Sequence, residues 1–363
     1  MARAKDEGAA QGQAASHSFP AEASACRGEA MKPMAERTGV DAETFRGEIK
    51  AAGRPVVLRG AAADWPAVAA ARRGSHGLAA YLGRFDAGRA VDVLVGPPEI
   101  GGYLFYRQDM SGLNFARSKQ RIAAVLGELI RLEGAARPPA VALQSLEVRD
   151  GLPGFEAENA LPHVDAAVVP RVWIGNKVTV APHFDLNDNI AVVVAGRRRF
   201  TLFPPDQLPN LYVGPFDFSP AGAPVSMVDP RAPDFERYPR YREALEAAET
   251  AELEPGDAVY IPYMWWHGVE SLGAFNMLVN YWWNEARAAG SPFDVLMHAF
   301  LVLGRMPPAQ KAAWRAMLDH YVFGANGDPM EHLAPEHRGA LGGLDEVGAA
   351  AMRRYLAQSL ARR

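Results

Sequence analysis

One cysteine, Cys26, is all that this 363-residue sequence contains. An intrachain disulfide, a cysteine-based zinc finger and an iron–sulfur cluster are thereby excluded, and a reducing, cytoplasmic setting is expected. Long apolar runs are also missing. None approaches the roughly 18–20 residues of a membrane-spanning helix, so no membrane partner is expected. The opening stretch, MARAKDEGAAQGQAASHSF, carries no apolar h-region of the kind a signal peptide needs. Nor is there an excess of either charge. With 38 basic and 42 acidic side chains the net charge is −4, which argues against a nucleic-acid partner held through a basic surface.

What the sequence does hold is apolar residues, 49% of the chain, enough to bury one large core or two modest ones. It also holds 34 glycines and 28 prolines, which favour a turn-rich β architecture over a helical bundle. Residues 1–30 are rich in Ala, Gly, Ser and Glu, with Phe19 as their only aromatic. Such a stretch buries too little apolar surface to offset its ordering entropy and reads as a disordered leader.

The spacing of Phe45 and Ile49 predicts a short amphipathic helix over 41–52, ended by Gly53. RPVVLRG then reads as a buried strand, and Asp64-Trp65-Pro66 opens a mainly helical stretch reaching Ala80. VDVLV, GYLFY and AVALQSLEV read as strands, and Ile122–Leu132 as a helix. From Val172 to Trp283 come VWIGN, KVTVAPHFD, NIAVVVAG, RRFTLFPP, DAVYIP and FNMLVNYWW, with turn clusters between them. That spacing predicts an antiparallel barrel or sandwich. After Asn284 the pattern turns helical. Ser291 at N-cap, Pro292 at N1 and Asp294 at N3 start a first helix. A second is expected over Pro308–Tyr321 and a third over Asp345–Ala361, where Met352, Tyr355, Leu356 and Leu360 form a stripe. The expected division is a leader over 1–30, a mainly β domain over 31–286 with its barrel core at about 140–284, and a helical region over 287–363.

His183-Phe184-Asp185 closes a strand-like run, and in extended backbone residues i and i+2 point to the same side. His267 follows 82 residues after Asp185, just beyond the strand-like IPYMWW. Two histidines and a carboxylate form the facial set that holds non-haem Fe(II) and leaves positions open. His163-Val164-Asp165 repeats the H-x-D spacing but sits in Pro- and Gly-punctuated sequence without strand periodicity, so it is read as a non-ligand. The residues alone also permit plainer readings: His183 as a polar strand end, and His267 as a satisfied histidine beside aromatics. Glu270 and Ser271 are the polar neighbours expected to orient His267. His298, His320, His332 and His337 fall in the helical tail and are read as non-ligands.

NIAVVVAGRRRFTLFPPDQLPNLY, PDFERYP, EPGDAVYIPYMWWHGVESL and FNMLVNYWW resemble the cupin-like, Jumonji-C-related branch of the Fe(II)/2-oxoglutarate oxygenases. This is the branch that holds the asparaginyl hydroxylase of hypoxia-inducible factor. The likeness is dense over Val172–Trp283 and weaker from Phe45 to Glu147. It implies a double-stranded β-helix (jelly-roll) barrel with flanking helices and a C-terminal helical extension. It also implies a 2-oxoglutarate-dependent dioxygenase that hydroxylates a protein, peptide or small polar substrate.

By the same resemblance, His183, Asp185 and His267 are the iron ligands. Asn189, Asn280 and Trp282 match positions that line the cosubstrate pocket. Arg198 takes the place of the family's lysine at the far carboxylate of 2-oxoglutarate, and strand alternation should turn it opposite to Arg197 and Arg199. Val180 and Ala142 stand where the family has a cosubstrate-binding threonine and tyrosine. Thr179 is the adjacent hydroxyl, although in a regular strand it should point the other way from Val180, and Tyr103 or Tyr106 is the phenol that another strand could supply. A homodimer through the C-terminal helices is the further expectation. Two other readings fit the same residues: a cupin-fold binding protein that keeps a metal or ligand without turnover, and a cupin enzyme using zinc or manganese.

Overall fold

The computed structural model describes residues 31–286, 290–343 and 345–361, so the leader expected over 1–30 lies outside the described residues. Contacts divide the chain into two compact units, one ending at Asn284 and the other starting at Glu285.

The first unit is mainly β. Its strands begin with β1 (Lys32–Pro33), β2 (Ala35–Thr38), β3 (Val56–Arg59), β4 (Ala90–Gly96) and β5 (Tyr103–Leu104). β6 (Ala116–Arg121), β7 (Ala140–Glu147), β8 (Arg171–Gly175), β9 (Thr179–His183) and β10 (Asp188–Ala195) follow. The last are β11 (Arg198–Phe203), β12 (Glu249–Leu253), β13 (Ala258–Ile261), β14 (Trp266–Ser271) and β15 (Asn276–Trp283). They form a six-stranded sheet, β1-β12-β11-β14-β9-β5, and a nine-stranded sheet, β2-β3-β13-β10-β15-β8-β7-β4-β6. This is the mainly β, jelly-roll architecture that the resemblance implied, built as two facing ladders rather than one closed barrel. β1, β2, β6 and β12 were not among the strands read from sequence. β1 is only two residues long, β2 and most of β6 are exposed, and β12 is buried only at its two ends, so they lack the apolar alternation that marks a strand.

Central strands of the larger sheet are covered on both faces, which is why they read as unbroken apolar runs. Ile190, Val192 and Val194 of β10 point outward into one core with Val279 and Met277 of β15. Ala191 and Val193 point the other way and meet Phe200, Leu202, Leu253 and Val269 of the smaller sheet. Side-chain alternation of period two thus sorts one strand into two cores. The outer core is closed by helices. Ile122, Val125, Leu126 and Leu129 recur at the i, i+3, i+4 and i+7 positions of the Ile122–Leu132 helix, and all are buried. Leu129→Ala there is expected to cost about 2–5 kcal/mol.

The expected helix over 41–52 is a short helical turn at Ala42–Thr44 that widens into a π-type segment at Phe45–Lys50, with both Phe45 and Ile49 buried. The stretch after Trp65 splits into helices at Pro66–Ala71 and Ser75–Gly83.

The second unit is helical: Pro292–Leu303, Pro308–Tyr321 and Glu346–Ala361. Ser291 caps the first by accepting from the Asp294 N–H. The third starts one residue after the expected Asp345, because the Asp345 side chain accepts from the Gly348 N–H at 2.7 Å and so lies outside the helix it caps. No helix among the described residues is long and apolar enough to cross a membrane.

Candidate metal centre and its cavity

β9 and β14 run antiparallel, and His183 is paired directly with His267. His267 is the second residue of β14, not the residue after a strand. β13 stops at Ile261, and the backbone turns through Met264, at a φ of 60°, before β14 begins at Trp266. The Met264 N–H donates to the Asp185 carbonyl at 3.2 Å, tying this turn to the segment that carries His183 and Asp185. The β9 register slips against β14, so that His183 opposes His267 while Val180 opposes Val269. Three residues against two make a bulge, a device that re-aims side chains beside a site. Val180 and His183 therefore both line the same cavity, although three residues apart in a regular strand they would face opposite ways.

His183, Asp185 and His267 each offer one ligand atom, and these atoms lie within 4.8 Å of one another. His183 Nδ1 lies 3.0 Å from the Ala181 carbonyl and His267 Nδ1 lies 3.1 Å from the Trp265 carbonyl. A carbonyl only accepts, so each Nδ1 carries a proton, and in the neutral ring that leaves the Nε2 lone pair for a metal. His267 Nε2 is 3.6 Å from Asp185 Oδ2. Burial, with the neighbouring His183 adding to it against the opposing pull of Asp185, pushes the His267 pKa down to about 4. The ring is neutral at pH 7, as a ligand must be. Its orientation comes from the main chain: Glu270, expected to help, instead faces away and pairs with Arg199. His163, the other H-x-D histidine, is buried against the edge of Phe45 with Nε2 2.8 Å from the Val40 carbonyl, in packing of its own.

The β10–β11 turn delivers Arg198. Gly196 takes a φ of 72° there, and a Cβ at that position would collide with the Asn276 side chain. Arg198 then opposes Ser271 on one side and Leu253 on the other, and it is only 7% exposed. Arg197 and Arg199 turn to Glu252, at 3.3 and 2.7 Å. Arg198 has no carboxylate partner among the described residues, and its Nε has no hydrogen bond. Burial lowers its pKa to about 10, so it remains a cation at neutral pH. On the facing sheet, Asn280 Nδ2 donates to Asn189 Oδ1 at 2.8 Å, which leaves Asn280 Oδ1 open.

His183, Asp185, His267, Arg198, Asn189 and Asn280 all line one cavity of about 340 Å³ between the two sheets, near the lower end of the roughly 300–1,000 Å³ usual for small-ligand sites. Eight buried side-chain polar atoms among the described residues lack a partner, and five of them belong to cavity-lining residues. These five are Asp185 Oδ2, Arg198 Nε, Asn280 Oδ1, Trp173 Nε1 and Trp282 Nε1. Buried polar groups are normally satisfied, so a concentration of unsatisfied ones in one cavity points to a polar ligand there. Two imidazoles and a carboxylate suit a divalent metal such as Fe(II), and a lone buried guanidinium suits the carboxylate of an organic acid.

Three of the expected polar contacts are placed elsewhere. Thr179 is buried but does not line the cavity, because the bulge turns Val180 inward in its place. The Tyr106 hydroxyl donates to the Phe218 carbonyl at 2.6 Å, and Tyr103 lies beneath the Arg231 guanidinium, 4.4 Å from it, without lining the cavity. Conversely, Trp173, Gln144, Ser145 and Arg117 line the cavity without having been singled out from sequence. For Trp173 a signal was there, since alternation in VWIG sets it opposite to the core residues Val172 and Ile174. Gln144 and Ser145 occupy a register shift in β7, where Ser145 has a φ of 44°, and nothing in the local sequence marks that.

Among known proteins, this chain is similar to HSPB1-associated protein 1 of Homo sapiens, with 36% identity over 115 residues, 31% of this chain and 22% of that protein. It is similar to lysine-specific demethylase JMJ30 of Arabidopsis thaliana, with 29% identity over 272 residues, 73% of this chain and 58% of that protein. It is also similar to tRNA wybutosine-synthesizing protein 5 of Gallus gallus, with 35% identity over 106 residues, 29% of this chain and 30% of that protein. The chain thus spans less than two thirds of each of these relatives. The match to the cupin-like domain runs from residue 42 to residue 289, taking in β3 to β15 and all three residues of the triad, and by it the chain belongs to the cupin-like, JmjC-type family.

Proposed function

We propose that this protein is an Fe(II)- and 2-oxoglutarate-dependent oxygenase that hydroxylates a protein, peptide or small polar substrate. One observation carries the reading: the His183–Asp185–His267 set and the unpaired, buried Arg198 open into the same cavity. When bound, Fe(II) and 2-oxoglutarate together supply an oxidant that puts one oxygen atom of O₂ into an unreactive C–H bond, while the other ends in succinate as CO₂ leaves. His183 and His267 would hold the metal through Nε2 and Asp185 through its carboxylate, on one side only. Arg198 would pair with the far carboxylate of the cosubstrate by a charge-assisted, bidentate contact. Asn280 Oδ1 and the indole N–H groups of Trp173 and Trp282 remain to orient polar atoms in the cavity. Leu278, Ile261, Val269 and Phe200 wall it with apolar surface and exclude water.

Incubating the protein with Fe(II), ascorbate and 2-oxoglutarate tests this reading through the succinate formed. Succinate above the metal-free control is expected, and none in the presence of a bound cosubstrate would overturn catalysis. A second reading has an observation in its favour: Val180 and Ala142 line the cavity with apolar groups, leaving Arg198 as the one cation deep inside. A cupin-fold protein that binds metal and acid without turnover would then give tight binding and no succinate.

A further inference from the structure

We propose that Arg117 is an anion-recognition point at the edge of the cavity, and that the molecule oxidised carries an acidic group rather than a cationic one. The inference rests on the oxygenase reading above and names its substrate class. Arg117 lies on β6, the edge strand of the larger sheet, opposite Leu94 of β4. Leu94 opposes Ala142 of β7, and Ala142 opposes Gly175 of β8. All four line the cavity, so they form one row across its floor that runs from the interior to an exposed arginine. Adjacent strands are about 4.8 Å apart, which puts the Arg117 backbone roughly 14 Å from β8. The cavity is therefore elongated, and a ligand that reaches Arg117 holds its charge several bonds from the reacting C–H.

The charges along this row are few. Titratable side chains lining the cavity are Arg117, His183, Asp185, Arg198 and His267, so Asp185 is its one carboxylate among the described residues. A divalent metal, Asp185, Arg198 and a doubly charged 2-oxo acid cancel one another. Arg117 is the charge left over. Lys119, next on the same face of β6, is neutralised by Asp92 at 2.9 Å, while Arg117 has no ion-pair partner among the described residues.

A cation would find little here. A methylated ammonium group is held by aromatic faces or by carboxylates. The aromatic lining is Trp173, Trp282 and Phe200, and the Arg171 guanidinium already stands 5.8 Å from the Trp282 ring centre. Two relatives bear the name lysine-specific demethylase, yet this cavity sets two arginines and no spare carboxylate before such a substrate.

The test is calorimetric titration of the protein loaded with Mn(II) and 2-oxoglutarate, without turnover. The probes are three blocked hexapeptides that differ only in a central Glu, Gln or trimethyl-lysine, with suberate as a small dicarboxylic acid and its diamide as the neutral match. We expect the glutamate peptide or suberate to bind at least fivefold tighter than its neutral match, and the trimethyl-lysine peptide to bind most weakly. The preference should shrink as salt is raised, as for a partly exposed charge. Arg117→Ala should abolish it while 2-oxoglutarate affinity stays within twofold. Whichever acid gains decides between an acidic peptide and a small organic acid. A trimethyl-lysine peptide that binds tightest, equal binding of all probes, or a preference that survives in Arg117→Ala overturns the inference. If the parent does not bind 2-oxoglutarate, the oxygenase reading fails separately. The probes are then titrated with Mn(II) alone, and acid binding lost in Arg198→Ala but kept in Arg117→Ala counts against Arg117.

Discussion

His183 and His267 face each other across neighbouring strands with their ring centres 4.3 Å apart and their planes inclined by 51°. Both rings give their Nδ1 proton to a main-chain carbonyl two residues back, so neither needs a side-chain partner to hold its tautomer. Backbone geometry alone preorganises two of the three candidate ligands, and Asp185 is the third. His183→Ala or Asp185→Ala should therefore abolish stoichiometric Fe(II) binding, because two remaining ligands cannot hold the facial geometry. His163→Ala should keep the iron while losing some stability through its Val40 contact. Elemental analysis that finds one iron per chain in either triad variant would sink the assignment.

Acid should weaken the metal-free protein through His267. Its folded pKa of about 4 lies below the ordinary 6.5, so between those values the unfolded chain takes up a proton that the folded chain refuses. Stability is then fully present above pH 6.5 and is lost as the pH falls towards 4, by at most about 1.4 kcal/mol per pH unit from this group. Urea midpoints measured with chelator from pH 4.5 to 7.5 should decline on the acid side, and His267→Gln should flatten that decline. A parent midpoint unchanged over this range would contradict the account.

Arg198 sets function against stability. It is a buried cation without a partner, so its charge costs folding energy that a bound carboxylate returns. Arg198→Met should stabilise the ligand-free protein by roughly 1–3 kcal/mol, the usual penalty for an unsatisfied buried group. The same change should weaken 2-oxoglutarate binding by about 2–5 kcal/mol, as for truncating one partner of a buried charge pair, and leave metal affinity nearly unchanged. Arg198→Lys should lose less. Arg197→Ala and Arg199→Ala should lose nothing, since both turn to Glu252. Thermal melts and calorimetry on the same four variants check both halves, and equal effects from all of them would refute the clamp.

Much of this site was readable because strand periodicity is a two-residue rule that local sequence carries. H-x-D at a strand end, the inward turn of Arg198 between two outward arginines, and the apolar runs of β10 and β15 all follow from it. What the sequence withheld are the departures from that rule. The β9 bulge that brings Val180 inward and turns Thr179 away depends on pairing with β14, far along the chain. The β7 irregularity that presents Gln144 and Ser145 depends on β8. Tyr103 and Tyr106 were plausible phenols by residue type, but β5 is two residues long, and both rings pack against Phe105 instead.

The C-terminal helices carry the last prediction. None of the residues in Pro292–Leu303 is buried, although the segment reads PFDVLMHAFLVL. Val295, Phe300 and Leu301 are 68, 73 and 72% exposed, and Val347 and Tyr355 on the last helix are comparable. Single exposed apolar residues are ordinary, but a helix apolar on nearly every side is stable in water only when something covers it. We propose that a second copy of the chain covers it, as the family resemblance implies, so that full-length protein is a homodimer at micromolar concentration. Phe300→Glu with Leu301→Glu should give a folded monomer with an unchanged metal site, because both residues lie outside the β unit that holds the triad. Truncation after Asn284 should likewise remove the dimer. Light scattering distinguishes the outcomes: a full-length monomer, or a double variant that stays dimeric, would overturn the proposal that these helices are covered by their own copy.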